Sequence, residues 1–184
     1  MATSINSNGA ILRDARSRYL TDQREEGGAH GAYDAEIRRG GGAPRAEVSV
    51  RRGSAPADVA ALLGNTGDVV VRERAMFNGE QVIQLANTFV PVDVAEASGI
   101  EQVDTGVGGI ISRMRDAGFE QVEATEDVQL REATASEASA LGLAEGSPVL
   151  TITHVGRTAE GRIVEVTQHV LSGSWTLRYS TPLV

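Results

Sequence analysis

Two runs of alternating residues, 68–77 and 80–90, meet at Asn78-Gly79, and this segment restricts the fold more than any other. Alternation sends successive side chains to opposite faces, and Asn-Gly accepts the positive φ that suits the twist of paired strands. A lone hairpin is only marginally stable, so a sheet must surround it. Residues 46–52, 119–131, 147–158 and 162–171 supply strands, the last two pairing across Ala159-Glu160-Gly161. Residues 32–38 also read as a strand, turning at Gly40-Gly41-Gly42-Ala43-Pro44, and residues 175–183 as a final one.

Short helices punctuate these strands. Pro56 opens one with Val59, Ala60, Leu62 and Leu63 as its apolar stripe, ended by Gly64. Residues 92–97 form a second, and residues 110–117 a third that stops at Gly118. Residues 134–141 carry the clearest signals, with Thr134 and Glu137 spaced as a capping box and Gly142 as the stop. Residues 11–24 show only a weak helical pattern after a small, polar start, so residues 1–17 read as a linker or tail. Hairpins joined by small helices make an α+β domain with a mainly antiparallel sheet.

Composition narrows the functional classes. The 184 residues suit one domain. All 17 basic residues are arginine, set against 25 acidic ones for a net charge of −8, the wrong sign for gripping nucleic acid directly. Residues 1–52 hold 9 Arg and 7 acidic residues, while the remainder holds 8 and 18, an acidic body behind a slightly basic start. With no cysteine, disulfides, thiolate metal sites and cysteine nucleophiles are excluded. No apolar run approaches the roughly 20 residues of a membrane span, and the first residues lack the pattern of a signal peptide. A soluble cytoplasmic protein without membrane contact is expected.

Catalytic motifs are sparse. His30, His154 and His169 fit no local metal spacing, so no metal is expected, and Ser172-Gly173-Ser174 is not a nucleophile elbow. Three features remain. Thr105-Gly106-Val107-Gly108-Gly109 enters a helix, where free amides at the positive end of the dipole would hold an anion; the same glycines also serve as a flexible joint. Arg72 and Arg74 share one face of their strand, about 7 Å apart, a pair suited to a carboxylate or phosphate. A two-residue turn at Asn78-Gly79 sets Arg74 opposite Ile83 and Arg72 opposite Leu85, whereas a three-residue loop brings Gln84 onto the arginine face. Lastly, Val164, Val166 and Val170 share one face of residues 163–171, and Glu165, Thr167 and His169 the other, which is either solvent or a polar pocket.

The order of segments resembles the UTRA domain of GntR-family transcription regulators of the HutC type. The resemblance covers about residues 16–184. It rests on Arg18-Tyr19, on Ala55-Pro56-Ala57-Asp58 running to Leu63-Gly64, on Val69-Val70-Val71-Arg72-Glu73-Arg74, and on Asp104-Thr105-Gly106 before Gly108-Gly109-Ile110. Arg131-Glu132-Ala133-Thr134, Gly146-Ser147-Pro148-Val149-Leu150 and Gly161-Arg162-Ile163-Val164-Glu165 complete it. The resemblance implies a chorismate-lyase-like fold over residues 18–184, used to sense a small effector, with no enzyme activity and no cofactor. It also implies a homodimer, and a winged-helix DNA-binding domain that this chain lacks, DNA being contacted only through that domain. Arg72 and Arg74 match positions that grip an anionic effector. Thr105, Gly106 and Gly108 match a loop meeting the same anion, and Glu165 a polar contact at the wall. Gln84 departs from the glutamate usual in sugar-phosphate sensors; Tyr33 and His169 complete the candidate ligand contacts. Two alternatives stand beside this reading: a ligand-free dimerisation module, and a chorismate-lyase-like enzyme with Arg72 or Arg74 as carboxylate anchor.

Overall fold

The computed structural model describes residues 4–5, 10–14, 17–64 and 67–179. In chain order these form β1 (Ser4–Ile5), β2 (Ile11–Asp14), α1 (Thr21–Arg24), a 3-10 turn at Glu26–Gly28, α2 (Ala32–Arg39), β3 (Pro44–Ser54), α3 (Ala57–Leu62), β4 (Asp68–Asn78) and β5 (Gln81–Pro91). Then follow α4 (Val92–Ser98), α5 (Gly109–Asp116), β6 (Glu123–Glu132), α6 (Ala135–Leu141), β7 (Pro148–Arg157), β8 (Ile163–Leu171) and β9 (Trp175–Arg178).

Strands β3 to β8 make one antiparallel sheet in the order β3-β4-β5-β8-β7-β6, so the two expected hairpins sit side by side at its centre. One face carries α2, α4 and α5. Tyr33 and Ile37 of α2 pack with Met76, Ile83 and Leu171, while Val94, Ala95, Ile110 and Met114 pack with Val70 and Val90. On the other face α3 sets Val59 against Val71, Phe89 and Val166, and α6 sets Ala138 and Leu141 against Val149. The capping box of α6 is formed in full, and its C-cap Gly142 adopts φ +65°.

Five sequence expectations change or are decided. Residues 32–39 are helical, because Tyr33 and Ile37, one turn apart, bury on one side while Asp34 and Arg38 pair on the other, between breakers at Gly31 and Gly40. Residues 11–14 are extended, pairing in parallel with β9 and antiparallel with β1 in a small second sheet. Strand β9 therefore does not extend the main sheet, and residues 180–183 lie outside the described residues. Finally, the central hairpin pairs Asn78 with Gln81 and slips at Met76/Phe77, so that Arg74 faces Ala86 and Arg72 faces Thr88. The extra residue turns Ile83 into the α2 cluster and leaves Gln84 on the arginine face. A similar slip at Gly156/Arg157 sends Val164 to the α4/α5 cluster, away from Val166.

Candidate functional site

The register brings polar residues into one row across the helix-covered face: Arg72, Thr88, Thr167, His154 and Glu126 lie opposite one another on β4, β5, β8, β7 and β6. The next row holds Arg74, Ala86 and His169, and the one beyond it Met76 and Gln84. These rows separate the two apolar clusters of this face, and above them lies a cavity of about 410 Å³ roofed by α2, α5 and the loop before α5. That volume falls within the roughly 300–1,000 Å³ of small-molecule sites.

Arg72 is 3% exposed and is spent on the chain itself: it donates to the carbonyls of Ile100, Gln102 and Val103 at 2.5, 2.6 and 2.9 Å, pinning the loop after α4. Burial first, then the charge of Arg74, pushes its pKa down to about 10. Arg74 differs. It has no carboxylate within ion-pair distance among the described residues and donates instead to the Thr88 hydroxyl. Because arginine only donates and carboxylate only accepts, the direction of the chain that follows is determined. Thr88 donates to Thr167 (2.6 Å), Thr167 donates to Glu165 (2.7 Å), and Gln121 holds the other Glu165 oxygen at 2.8 Å. Desolvation lowers the pKa of Arg74, and Glu165 only partly offsets it.

The glycine loop is more engaged than its composition implies. The Gly106 amide donates to Asp104, that of Gly108 to the Ala29 carbonyl, and that of Gly109 to the Gly106 carbonyl, at 2.9, 2.8 and 3.1 Å. Gly108, at φ +76°, is the N-cap of α5, and an added Cβ on Gly109 would come within 3.0 Å of the His30 carbonyl. The run thus lets two backbones close over the cavity, with His30 and Asp104 paired at 3.1 Å across its rim. Thr105 and Gly108 line the cavity and Gly106 does not. Tyr33, Gln84, Glu165 and His169 line it together with both arginines. The Tyr33 hydroxyl is buried without a hydrogen-bond partner, as are Nε of Arg72 and of Arg74.

Sequence reading passed over the charges behind the wall. Arg13 and Glu36 are buried and paired at 2.8 Å, and Arg18 lies 3.6 Å from Glu36 and 3.8 Å from Glu126. The Tyr19 hydroxyl donates to Glu126 at 2.7 Å, with His154 Nδ1 3.6 Å away. Burial alone would raise the Glu126 pKa; the His154 ring, the Arg18 charge and the Tyr19 hydroxyl outweigh it and hold it at about 2. Burial, helped by Arg18, Arg13 and Arg74, keeps His169 well below the usual range and neutral. Behind the wall Arg13 and Arg18 thus have Glu36 and Glu126 beside them, whereas on β4 neither Arg72 nor Arg74 has a carboxylate within ion-pair distance among the described residues. No group of three or more His, Asp or Glu is placed to hold a metal among the described residues.

A profile of the UTRA domain matches residues 40–174. The chain belongs to the UTRA domain family. An uncharacterized HTH-type transcriptional regulator of Streptomyces coelicolor is 30% identical over 142 residues, which are 73% of this chain and 53% of that protein. An HTH-type transcriptional regulator of Mycobacterium tuberculosis is 30% identical over 129 residues, 67% of this chain and 46% of its own. The chain therefore spans about half the length of the curated relatives it matches. Among solved structures, a GntR-family transcriptional regulator superposes with a TM-score of 0.76 at 21% identity, covering 86% of this chain and 66% of that one. The effector domain of PhnF from Mycobacterium smegmatis gives 0.71 at 17% identity, covering 84% and 96%. These neighbours establish the chorismate-lyase-like α+β fold expected from the sequence, and the named relatives are transcriptional regulators. Within the UTRA domain the match begins after α2, so Arg13, Arg18 and Glu36 stand outside it.

Proposed function

We propose that this UTRA domain is the sensing and dimerising part of a HutC-type GntR regulator acting in the cytoplasm, and that its effector is a small anion held beside Arg74. One observation carries the reading: Arg74 borders the cavity with no carboxylate within ion-pair distance among the described residues, next to a second arginine whose hydrogen bonds all go to neutral carbonyls. A buried cation left in that state is costly, and an anion arriving in the cavity relieves the cost. Glu165, Tyr33, Gln84 and His169 then provide polar contacts for the rest of the molecule, with Thr105, Gly106 and Gly108 forming the loop that closes over it.

Residues 18–184 form the sensor and residues 1–17 the connection to a preceding winged helix in a full-length regulator. The effector alters DNA binding there by preferring one arrangement of the dimer. Support for self-association comes from β6, an edge strand on which Leu130 is 70% and Val128 39% exposed.

The test is a thermal-shift screen against sugar phosphates, carboxylic acids and amino-acid derivatives, repeated with Arg72→Ala and Arg74→Ala. An anion that raises the melting temperature of the unsubstituted domain but not of Arg74→Ala is expected. Stabilisation by neutral or apolar compounds alone, undiminished in both variants, would overturn the anionic reading.

A further inference from the structure

The small sheet of β1, β2 and β9 lies outside the UTRA match, β9 beginning one residue past its end, yet one of its side chains reaches the cavity wall. Arg13 of β2 is 0% exposed, and its guanidinium lies 4.2 Å from the centre of the Trp175 ring of β9. It holds Glu36 as a fork, Nε to Oε1 at 3.0 Å and Nη2 to Oε2 at 2.8 Å. The same Nη2 donates to Oε1 of Gln84 at 2.9 Å, and Nε2 of Gln84 lies 3.0 Å from Nδ1 of His169. Gln84 and His169 both line the cavity.

The donors and acceptors in this chain leave a single assignment. Arginine has no acceptor, so the Gln84 atom facing Arg13 is its carbonyl oxygen. The amide nitrogen, which can only donate, then faces His169, and Nδ1 must accept. A neutral imidazole that accepts at Nδ1 carries its proton on Nε2. His169 is kept neutral chiefly by burial and then by the surrounding arginines. Its proton position is therefore dictated by a residue on another sheet, in the segment that leads into the domain.

We propose that Arg13 is a positioning residue for effector specificity: docked β2 presents His169 to the cavity as a hydrogen-bond donor, and an effector oxygen that accepts from it holds β2 in place. The proposal rests on the reading of the cavity as an effector site, and it adds a requirement to the ligand. Besides the charge read by Arg74, the effector carries an acceptor oxygen at His169. When β2 leaves, Gln84 is free to turn its amide over, the imidazole loses its single tautomer, and that contact weakens. Binding free energies are reciprocal, so a ligand that prefers docked β2 tightens the docking of β2 by the same factor. The cavity is thereby connected to the chain preceding residue 11 through three side chains.

The wiring is tested without any ligand. Imidazole nitrogen resonances of His169 are recorded in the 184-residue chain and in Arg13→Met and Gln84→Met. Gln84→Met leaves the Arg13–Glu36 pair intact and serves if Arg13→Met, which strands a buried carboxylate, does not fold. The unsubstituted chain is expected to show one tautomer, protonated at Nε2, and the variants a mixture. Backbone amides of Ile11 to Asp14 are expected to exchange several-fold faster in Gln84→Met. With inorganic phosphate as the probe, exchange in β2 slows in the unsubstituted chain and does not slow in Gln84→Met. A proton on Nδ1 of His169, or imidazole resonances unchanged in Gln84→Met, would overturn the proposal. Should phosphate and the other anions fail to bind, the effector reading falls, while the imidazole resonances still decide the role of Arg13.

Discussion

Replacing Arg74 by methionine is expected to stabilise the unliganded domain, the opposite of what removing a buried polar residue normally does. Arg72 and Arg74 stand two residues apart on β4, about 7 Å by strand geometry, and at an effective dielectric constant of about 20 their repulsion is about 2 kcal/mol. Glu165 returns part of this through two threonine hydroxyls, while Thr88 keeps its bond to Thr167 when the arginine is gone. A net gain of about 1 kcal/mol follows, or roughly 2–4 °C in Tm for a domain of this size. A bound anion present at a hundred times its Kd adds about 2.7 kcal/mol to the unsubstituted domain. The order of melting temperatures therefore inverts: the variant melts above the free domain and below the anion-bound one, and itself ignores the anion. Calorimetry at low salt with and without phosphate reads all four states, and high salt should narrow the gap between the two free proteins. A variant that melts below the free domain, or that still responds to the anion, would refute the argument that Arg74 is an uncompensated charge.

Three further outcomes are expected. Glu126 is held at about 2, against an ordinary carboxylate near 4.5, so the roughly 3 kcal/mol it contributes is present above pH 4.5 and is lost as the pH falls toward 2; acid unfolding followed by circular dichroism should be shallower over that window in Glu126→Gln. Gly108→Ala places a Cβ at φ +76° and in collision with Oγ of Ser112, which is itself held by Glu25 and Arg24, so denaturant melts should show a loss of at least about 2 kcal/mol. Thr134→Ala removes the acceptor of the Glu137 amide in the α6 capping box and should cost about 1 kcal/mol in the same assay, with the cavity and its ligand response unaffected.

Much of the candidate site was legible before the fold. Alternation alone put Arg72 with Arg74 and Glu165 with His169, and those pairs face one cavity. Gln84 was legible only as a choice between two registers, because a turn's sequence does not reveal whether the strand beside it carries an extra residue; the slip at Met76/Phe77 decided it. Arg13 gave no signal as long as residues 11–24 read as a weak helix. In an extended segment Ile11 and Arg13 share a face, and a core isoleucine would have pointed to a buried arginine.

The sequence by itself determined what depends on neighbours along the chain: the central hairpin, the capped helix after Thr134, the stops at Gly118 and Gly142, the acidic character, and the segment order that marks a UTRA domain. The tertiary structure decided what depends on neighbours across it. Residues 32–39 wind into a helix because Tyr33 and Ile37 bury against the sheet, and the polar row from Arg72 to Glu126 exists only because five strands settle in one register. Periodicity and capping are satisfied within a few residues, whereas a buried charge is tolerated only when a partner arrives from a distant strand or helix, as Glu36 does for Arg13. At Arg74 what arrives is a neutral hydroxyl rather than a carboxylate, which is why the proposed ligand is an anion.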